Sequence, residues 1–595
     1  MPPEVQFWAK TTSNGEPGIS VLEHCLNVGA VAEALLEVLP EARRALSPSF
    51  APALAALHDV GKAAPGFQVK CERWVLKHGL RTRAIQECWG LEESDHGKVT
   101  QATLQEFFPG RDMWKWAAAL GAHHGRIKGG ERVLCKASWE QQRHRLVEEI
   151  MKHHERRPDR PPRLDAELWW VAGLVTVADW IGSDERFFPS DRAFDSEERR
   201  RRAREAMERI GWRMPRLRER VSFGEMFPGY QPNALQEAVL KVVSEPGVYV
   251  IEAPMGLGKT EAALAAAYRL MASGKAAGIY FALPTQLTSN RIHRRVEDFI
   301  RQVCAGGGRV RLAHSASWLL EGEPPPTLPP SGPAGEDEAS ANDVVRSWFA
   351  SSRRALLEPY GVGTVDQALL GVVAAKHFFL RQFALGGKVV ILDEVHSYDV
   401  YTGTLITGLV QQLRDLQATV VILSATLTAS RKAELLGLQE PQLLKTEYPL
   451  VTAKHNGLDE IAVVGPPPRT IAIRWREGER LATECAERAE QGQCVLWICN
   501  TVARAQQAWR RVKSLIREGG PPVGLLHSRF PMVRRDEIEQ KWMEALDRHG
   551  PRPKGCVLVA TQVVEQSVDV DADLLVTDLA PTDMLLQRIG RLWRH

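Results

Sequence analysis

Beyond Phe223 the chain is written in short apolar β-type runs separated by helical stretches: "GVYVIEAP", "AAGIYFALP", "KVVILDEVH", "ATVVILSATL", "CVLWICNT" and "GCVLVATQVV". Strands that alternate with helices pair in parallel, and a parallel sheet must be covered by helices on both faces. Two such sheets are expected, because "EYPLVTAKHNGLDEIAVVGPPPR" interrupts the series as a loop-like, proline-ended stretch and places a boundary near 465. "EGEPPPTLPPSGPAGEDEASAND" (321–343), rich in Pro and Gly and acidic towards its end, reads as a mobile insertion on the first sheet domain. Upstream of about 220 the pattern is different. "VLEHCLNVGAVAEALLEVL" and "AELWWVAGLVTVADWIGS" space their apolar residues by three and four, without short β-rich runs, and predict an all-α domain. "DSEERRRRAREAMERIGWRMPRLRER" (195–220) reads as a charged helix and connector whose arginines form a solvated face more readily than a nucleic-acid patch. The expected architecture is an all-α domain over 1–220, then α/β domains over 221–465 and 466–595.

Composition agrees with several cores. The chain has 595 residues, 44% hydrophobic and 25% charged, the balance of an ordinary globular protein. A formal net charge of +3 excludes holding nucleic acid by a global positive field, so any such partner needs local basic grooves. Nine cysteines without a CxxC pair argue against a disulfide framework or a zinc ribbon and favour a reducing, cytoplasmic setting. The N-terminal text has no basic segment followed by an apolar one, and no long uncharged apolar run occurs, so neither an export signal nor a membrane span is expected.

Three stretches carry nucleotide chemistry. In "YVIEAPMGLGKTEAALAAA" a strand runs into a loop with Gly256 and Gly258, then Lys259, Thr260 and a helix. Loop N–H groups and the helix N-terminus cradle phosphates, the lysine reaches the terminal phosphates, and the threonine hydroxyl holds Mg²⁺. Ala253 stands where the general pattern has glycine. In "KVVILDEVHSYD" four apolar residues deliver Asp393 and Glu394 to a strand end, where one carboxylate suits Mg²⁺ and the next the attacking water. In "LLQRIGRLWRH" the three-residue spacing of Arg588, Arg591 and Arg594 predicts one basic helix face that reaches a transferring phosphoryl group.

The helical part supplies His24, the pair His58-Asp59 in "AALHDVGKAAPGF", His96, the pair His123-His124 and Asp179. Neutral imidazoles and carboxylates suit divalent transition metals. Each one alone reads more readily as a structural histidine. Together they differ, because most lie beside apolar helical text, where an unpartnered polar group is costly. His153-His154, amid charges in "EEIMKHHERRPDR", reads as solvent-exposed and is left out. Lys62, a turn beyond His58, is either a phosphate contact or a surface lysine.

The ordered series "PNALQ", "APMGLGKT", "LPTQ", "VGTVDQ", "DEVH", "SAT", "ATQVVEQSVDVD" and "QRIGRLWR" resembles superfamily 2 helicases over about 223–595. That resemblance implies two RecA-like domains with ATP and Mg²⁺ between them. It assigns Gln236 to adenine; Pro284, Thr285, Asn290, Thr364 and Asp366 to the single-strand path; Arg591 and Arg594 to arginine fingers; and Asp569 to the link between the two sites. The order His24, His58-Asp59, Asp179 is similar to the HD superfamily of metal-dependent phosphohydrolases. His96, His123 and His124 resemble its two-metal subset, in which the HD aspartate, here Asp59, bridges two divalent ions of the Mn²⁺, Fe²⁺, Co²⁺ or Ni²⁺ kind.

Both halves together resemble the CRISPR-associated helicase-nucleases of type I interference systems. The resemblance implies an ATP-dependent 3′ to 5′ helicase and metal-dependent nuclease on single-stranded DNA, recruited by an RNA-guided surveillance complex. The alternative is an HD phosphohydrolase of small nucleotides with a regulatory helicase-like ATPase. The family normally continues beyond the arginine motif into the rest of its second sheet domain and an accessory domain. Here the text stops at His595, so either this is a fragment or the remainder is a separate chain.

Overall fold

The computed structural model describes residues 6–592 apart from 79–93, 109, 128–136, 213–215, 307, 314–354, 374, 396–397, 399, 426, 468–469, 477, 547–551 and 566–569. The Pro/Gly-rich stretch 321–343, expected as an insertion, therefore lies outside the described residues.

The first part is helical, as its spacing predicts. Helix α1 (Val21–Val38) is capped by Ser20, whose hydroxyl accepts from Glu23 N–H, and buries residues all round because it lies among other helices. Around it pack α2 (Ala51–Ala56), α3 (His96–Phe107), α4 (Trp114–Gly121), α5 (Asp165–Gly182) and α6 (Ser196–Ile210). On α6 most arginines are solvated as expected, but Arg199 is buried, where it binds the Glu23 carboxylate, Asn27 Oδ1 and the Phe194 carbonyl. His154, read as exposed, is half-buried instead: its ring lies 3.1 Å from where a Cβ on Gly29 would stand, so it is a packing residue against α1.

The next part is an eight-stranded sheet of order β3-β4-β2-β5-β6-β1-β7-β8. Six of its strands are parallel: β1 (Val248–Glu252), β2 (Ile279–Leu283), β3 (Val310–Ala313), β4 (Tyr360–Thr364), β5 (Val389–Leu392) and β6 (Thr419–Ser424). The last two correct the sequence reading. The supposed loop-like interruption holds β7 (Leu450–Lys454) and β8 (Leu458–Ala462), an antiparallel hairpin that extends this same sheet beside β1. Its signal was the Asn456-Gly457 pair between two short β-type runs, a strong hairpin signature. Proline and charge nearby masked it, because β8 is an exposed edge strand.

After β8 the chain forms a second, all-parallel sheet of order β10-β11-β9-β12: β9 (Cys494–Ile498), β10 (Val523–Leu526), β11 (Cys556–Ala560) and β12 (Leu574–Thr577). Among the described residues, no helix is long and apolar enough to cross a membrane.

The helical part is not a loose appendage. Helix α7 (Phe378–Leu385), which leads into β5, lies against α5. A Cβ on Gly173 of α5 would stand 2.3 Å from Phe383 Cβ and 2.8 Å from the Phe379 carbonyl, so the backbones touch. Trp169 packs on Phe378 and Trp170 on Phe383, and one continuous apolar core runs through both parts.

Candidate metal centre and nucleotide site

All seven predicted metal ligands converge. His24 projects from the first turns of α1, and Asp179 from the last turn of α5. His58 and Asp59 stand where the chain leaves α2 and enters a 3₁₀ turn (Val60–Lys62). The next residue after Val60 explains how His96 joins them. A Cβ at Gly61 would lie 2.1 Å from the His96 carbonyl and 2.5 Å from Thr100 N, so only glycine lets this turn press on the start of α3. Gly61 N–H also donates to Thr100 Oγ1 at 2.9 Å. His123 and His124 occupy the turn that ends α4, held to α5 by the Thr176 hydroxyl, which donates to the His123 carbonyl at 3.1 Å.

The ligands fall into two sets that share one residue. His24, His58, Asp59 and Asp179 form one, and Asp59, His96, His123 and His124 the other. The two Asp59 oxygens face different sets: Oδ2 lies 3.0 Å from His24 Nε2 and 3.2 Å from His58 Nε2, while Oδ1 lies 3.3 Å from both His96 Nε2 and His123 Nε2. Asp179 Oδ1 completes the first set, 3.4 Å from His58 Nε2.

The donor set fits divalent cations by an independent criterion. His58 Nδ1 and His123 Nδ1 donate to the carbonyls of Ala55 and Leu120, three residues back, at 2.9 and 2.6 Å. This turns each Nε2 inwards as the metal-binding nitrogen, which on His58 carries a proton until a cation displaces it. His58 Nε2, His123 Nε2 and Asp59 Oδ1 are buried and make no hydrogen bond. Buried polar atoms without partners are costly, and cations would satisfy all three.

The charge balance agrees. Burial pushes the imidazoles of His24 and His96 down to about 3 and that of His124 to about 4, so these are neutral ligands at ordinary pH. Burial opposes charge on His58 too, but Asp59 and Asp179 outweigh it and raise this imidazole to about 10. Both carboxyls are held well below the usual carboxylate range despite their burial, Asp59 by Lys62 and His58 above all, Asp179 by His58. Lys62 is neither a surface lysine nor turned outwards: its ammonium lies 2.7 Å from Asp59 Oδ2. Without cations, protons on Lys62 and His58 supply the positive charge this carboxylate pair demands.

Gly61, Thr176, Ser183 and Lys10 escaped the sequence reading. The Ser183 hydroxyl donates to Asp179 Oδ1 at 2.9 Å, and Lys10 Nζ donates to the Ser183 carbonyl at 2.5 Å. Only Gly61 had a local signal, its place two residues after the His-Asp pair. Lys10 and Ser183 are 173 residues apart and acquire meaning only in the fold.

The nucleotide motifs gather at the C-terminal ends of the first sheet, where α/β proteins bind ligands. The loop after β1 has Gly256 and Gly258 in left-handed conformations, φ 81° and 75°, and Lys259 and Thr260 open the following helix. Lys259 Nζ donates back to the Ala253 carbonyl at 2.6 Å. Gln236 lies beside this loop, donating to the Gly258 carbonyl at 3.2 Å and accepting from Asn233 N–H. Asp393 and Glu394 are buried at the end of β5, with Glu394 at φ 53°, a strained value for a non-glycine residue. β2 and β4 are neighbours, so Pro284-Thr285 and Thr364 emerge side by side, with Asp366 exposed beyond them. Of Asn290 only the backbone is described, and Asp569 and Arg594 lie outside the described residues.

The arginine stretch differs from its sequence reading. Its helix, α8 (Thr582–Ile589), stops before Arg591, because Gly590 ends it, so no single helix face carries the set. Arg588 and Arg591 are fully buried. Arg588 pairs with Glu565 and donates to Thr577 Oγ1 and Asn500 Oδ1, and Arg591 donates to the Glu565 carbonyl at 2.6 Å. The segment nevertheless borders the nucleotide loop: a Cβ on Gly590 would stand 3.1 Å from Met255 Sδ.

Comparison with known proteins points to one family. Residues 8–188 match the family described as "Cas3, HD domain", and 491–595 that described as "CRISPR-associated nuclease/helicase Cas3, C-terminal". The chain is 36% identical to the CRISPR-associated endonuclease/helicase Cas3 of Thermus thermophilus, over 99% of this chain and 72% of that one. The chain belongs to the Cas3 nuclease/helicase family. The ATP-bound crystal structure of T. fusca Cas3 superimposes over 100% of this chain and 73% of its own, with 29% identity and a TM-score of 0.82. A chain of a structure titled "CRISPR RNA-guided surveillance complex, pre-nicking" matches with a TM-score of 0.71 and 27% identity, over 100% of this chain and 72% of its own. A helical HD domain followed by parallel-sheet helicase domains is thus the family's architecture, and metal ions and ATP are its cofactors.

Proposed function

We propose that this Cas3 family member cuts single-stranded DNA at the HD centre and moves along it 3′ to 5′ by hydrolysing ATP between its sheet domains. The observation that carries the nuclease half is the division of Asp59, whose two oxygens face two separate ligand sets. His24, His58 and Asp179 would hold one ion and His96, His123 and His124 the other, with Asp59 between. Two divalent ions of the Mn²⁺, Fe²⁺, Co²⁺ or Ni²⁺ class would supply an activated water and stabilise the leaving oxygen of a phosphodiester. The chain's own work is to fix those ligands: carbonyls of Ala55 and Leu120 set the imidazole tautomers, Ser183 holds Asp179, and Lys62 balances Asp59.

For the motor half, Lys259, Thr260 and Asp393 would hold ATP with Mg²⁺, and Glu394 would orient the attacking water. Gln236 and Asp569 would serve the nucleotide as well, and Arg591 and Arg594 would complete its site from the second domain. Arg591 must then leave the Glu565 carbonyl when nucleotide binds. We place the domain limits near 220 and 465, and take a surveillance complex that exposes a displaced DNA strand in type I interference as the recruiting partner.

Incubating the protein with single-stranded DNA and Mn²⁺ or Co²⁺, beside Asp59→Ala, tests the nuclease half. Cleavage lost in the variant is expected; DNA left intact by the wild type would overturn it. Free nucleotides in parallel reactions separate this reading from a small-nucleotide phosphohydrolase.

A further inference from the structure

His377 belongs to the helicase half, yet its nearest surroundings belong to the nuclease. It caps α7 in a left-handed conformation, φ 60° and ψ 31°, and is buried. A histidine held there is over-determined by its contacts. Its backbone N–H donates to the Gly125 carbonyl at 2.8 Å. Its ring lies so close to Gly125 that a Cβ there would stand 2.6 Å from three ring atoms, and Gly125 itself has φ 100°. Gly125 closes the turn that carries His123 and His124, its own N–H donating to the Ala122 carbonyl at 2.6 Å. On its other side, the His377 ring meets Trp180, the neighbour of Asp179, with ring centroids 6.1 Å apart.

From inside the helical part, the Thr176 hydroxyl holds the same turn at the His123 carbonyl. The support beneath it is rigid, because α7 and α5 touch backbone to backbone at Gly173. Helix α7 then runs through Gly386-Gly387 into β5, whose end carries Asp393 and Glu394. One short segment therefore joins the ATPase carboxylates to the turn bearing two nuclease ligands.

We infer that His377 is a positioning residue of the nuclease centre: from the helicase half it holds the His123-His124 turn in register, so that occupancy of the second cation position depends on it. The inference rests on the two-cation reading of the centre. Residues that orient metal ligands from behind typically affect affinity 10–100-fold, and here the effect falls on one position only.

The test is a Mn²⁺ titration of the full chain by calorimetry and electron paramagnetic resonance, comparing wild type, His377→Ala, His377→Asn and Gly125→Ala. Wild type takes up two ions. In His377→Ala the first affinity is kept and the second falls about 10–100-fold, and the Mn²⁺ concentration for half-maximal DNA cleavage rises by the same factor. His377→Asn recovers part of the loss, because asparagine tolerates the left-handed conformation and keeps the N–H in place. Gly125→Ala shows the same selective loss and decides the matter if His377→Ala does not fold. A wild type that binds one ion or none refutes the two-cation reading and this inference with it. Two unchanged affinities in His377→Ala, or equal weakening of both, refute the inference alone.

Discussion

Replacing Asp59 by asparagine keeps the size of the side chain and removes one charge from the middle of five neighbours. The carboxylate lies 2.7 Å from Lys62 Nζ, 3.0 Å from His24, 3.2 Å from His58 and 3.3 Å from both His96 and His123. At an effective dielectric of about 20, the Lys62 pair alone has a gross attraction of about 6 kcal/mol. Most of that is offset by desolvation, and breaking a buried pair from one side costs about 3–5 kcal/mol net. His58 can shed its proton once Asp59 is gone, which relieves part of the imbalance and places the metal-free loss near 3 kcal/mol. For a domain of this size that is about 6–12 °C in Tm. The stronger consequence concerns the cations. Asp59 is the one ligand both positions share, so Asp59→Asn abolishes uptake of two Mn²⁺ ions, whereas His124→Asn abolishes only one. Calorimetric melting of the metal-free protein and a Mn²⁺ titration read the two effects. An Asp59→Asn chain that still binds two ions with wild-type affinity would refute the bridging role.

Other expectations follow from single contacts. A proton on His58, present up to about pH 10 in the metal-free protein, must leave before a cation takes Nε2. Proton and cation therefore compete, affinity falls up to tenfold per pH unit as pH drops below about 10, and each first-site Mn²⁺ releases one proton, measurable in buffers of different ionisation enthalpy. Lys259→Ala should abolish DNA-stimulated ATP hydrolysis; undiminished turnover would show that the loop after β1 holds no phosphate. Gly61→Ala places a Cβ 2.1 Å from the His96 carbonyl, which α3 relieves only by moving away. A loss of about 1–3 kcal/mol in stability, with weakened Mn²⁺ binding through His96, is expected from denaturant melts and titration.

Much of this was legible in the sequence because the chemistry is local. Strand, glycine loop and helix lie in one short run, and His58 and Asp59 are adjacent, so residue types and spacing sufficed. The convergence of the seven candidate ligands was legible for another reason: histidines beside apolar helical text are expensive unless they converge on something. What escaped was relational. Gly61 needs the start of α3 pressed against it, Lys10 reaches Ser183 only across the fold, and His377 acquires its meaning from the turn at Gly125. Two misreadings had physical causes. The β7–β8 hairpin was hidden because an edge strand tolerates charge and exposure, which blurs its alternation. Arg591 was placed on a helix face by counting in threes, but Gly590 ends that helix first and turns the guanidinium towards the Glu565 carbonyl.

The most direct test of the central claim, that one polypeptide holds a two-cation nuclease centre built around Asp59, is cleavage of single-stranded DNA as a function of Mn²⁺ concentration. The account predicts cleavage that needs two ions per chain, stops with chelator and disappears in Asp59→Ala. Intact DNA at saturating Mn²⁺, or equal cleavage by Asp59→Ala, would contradict it.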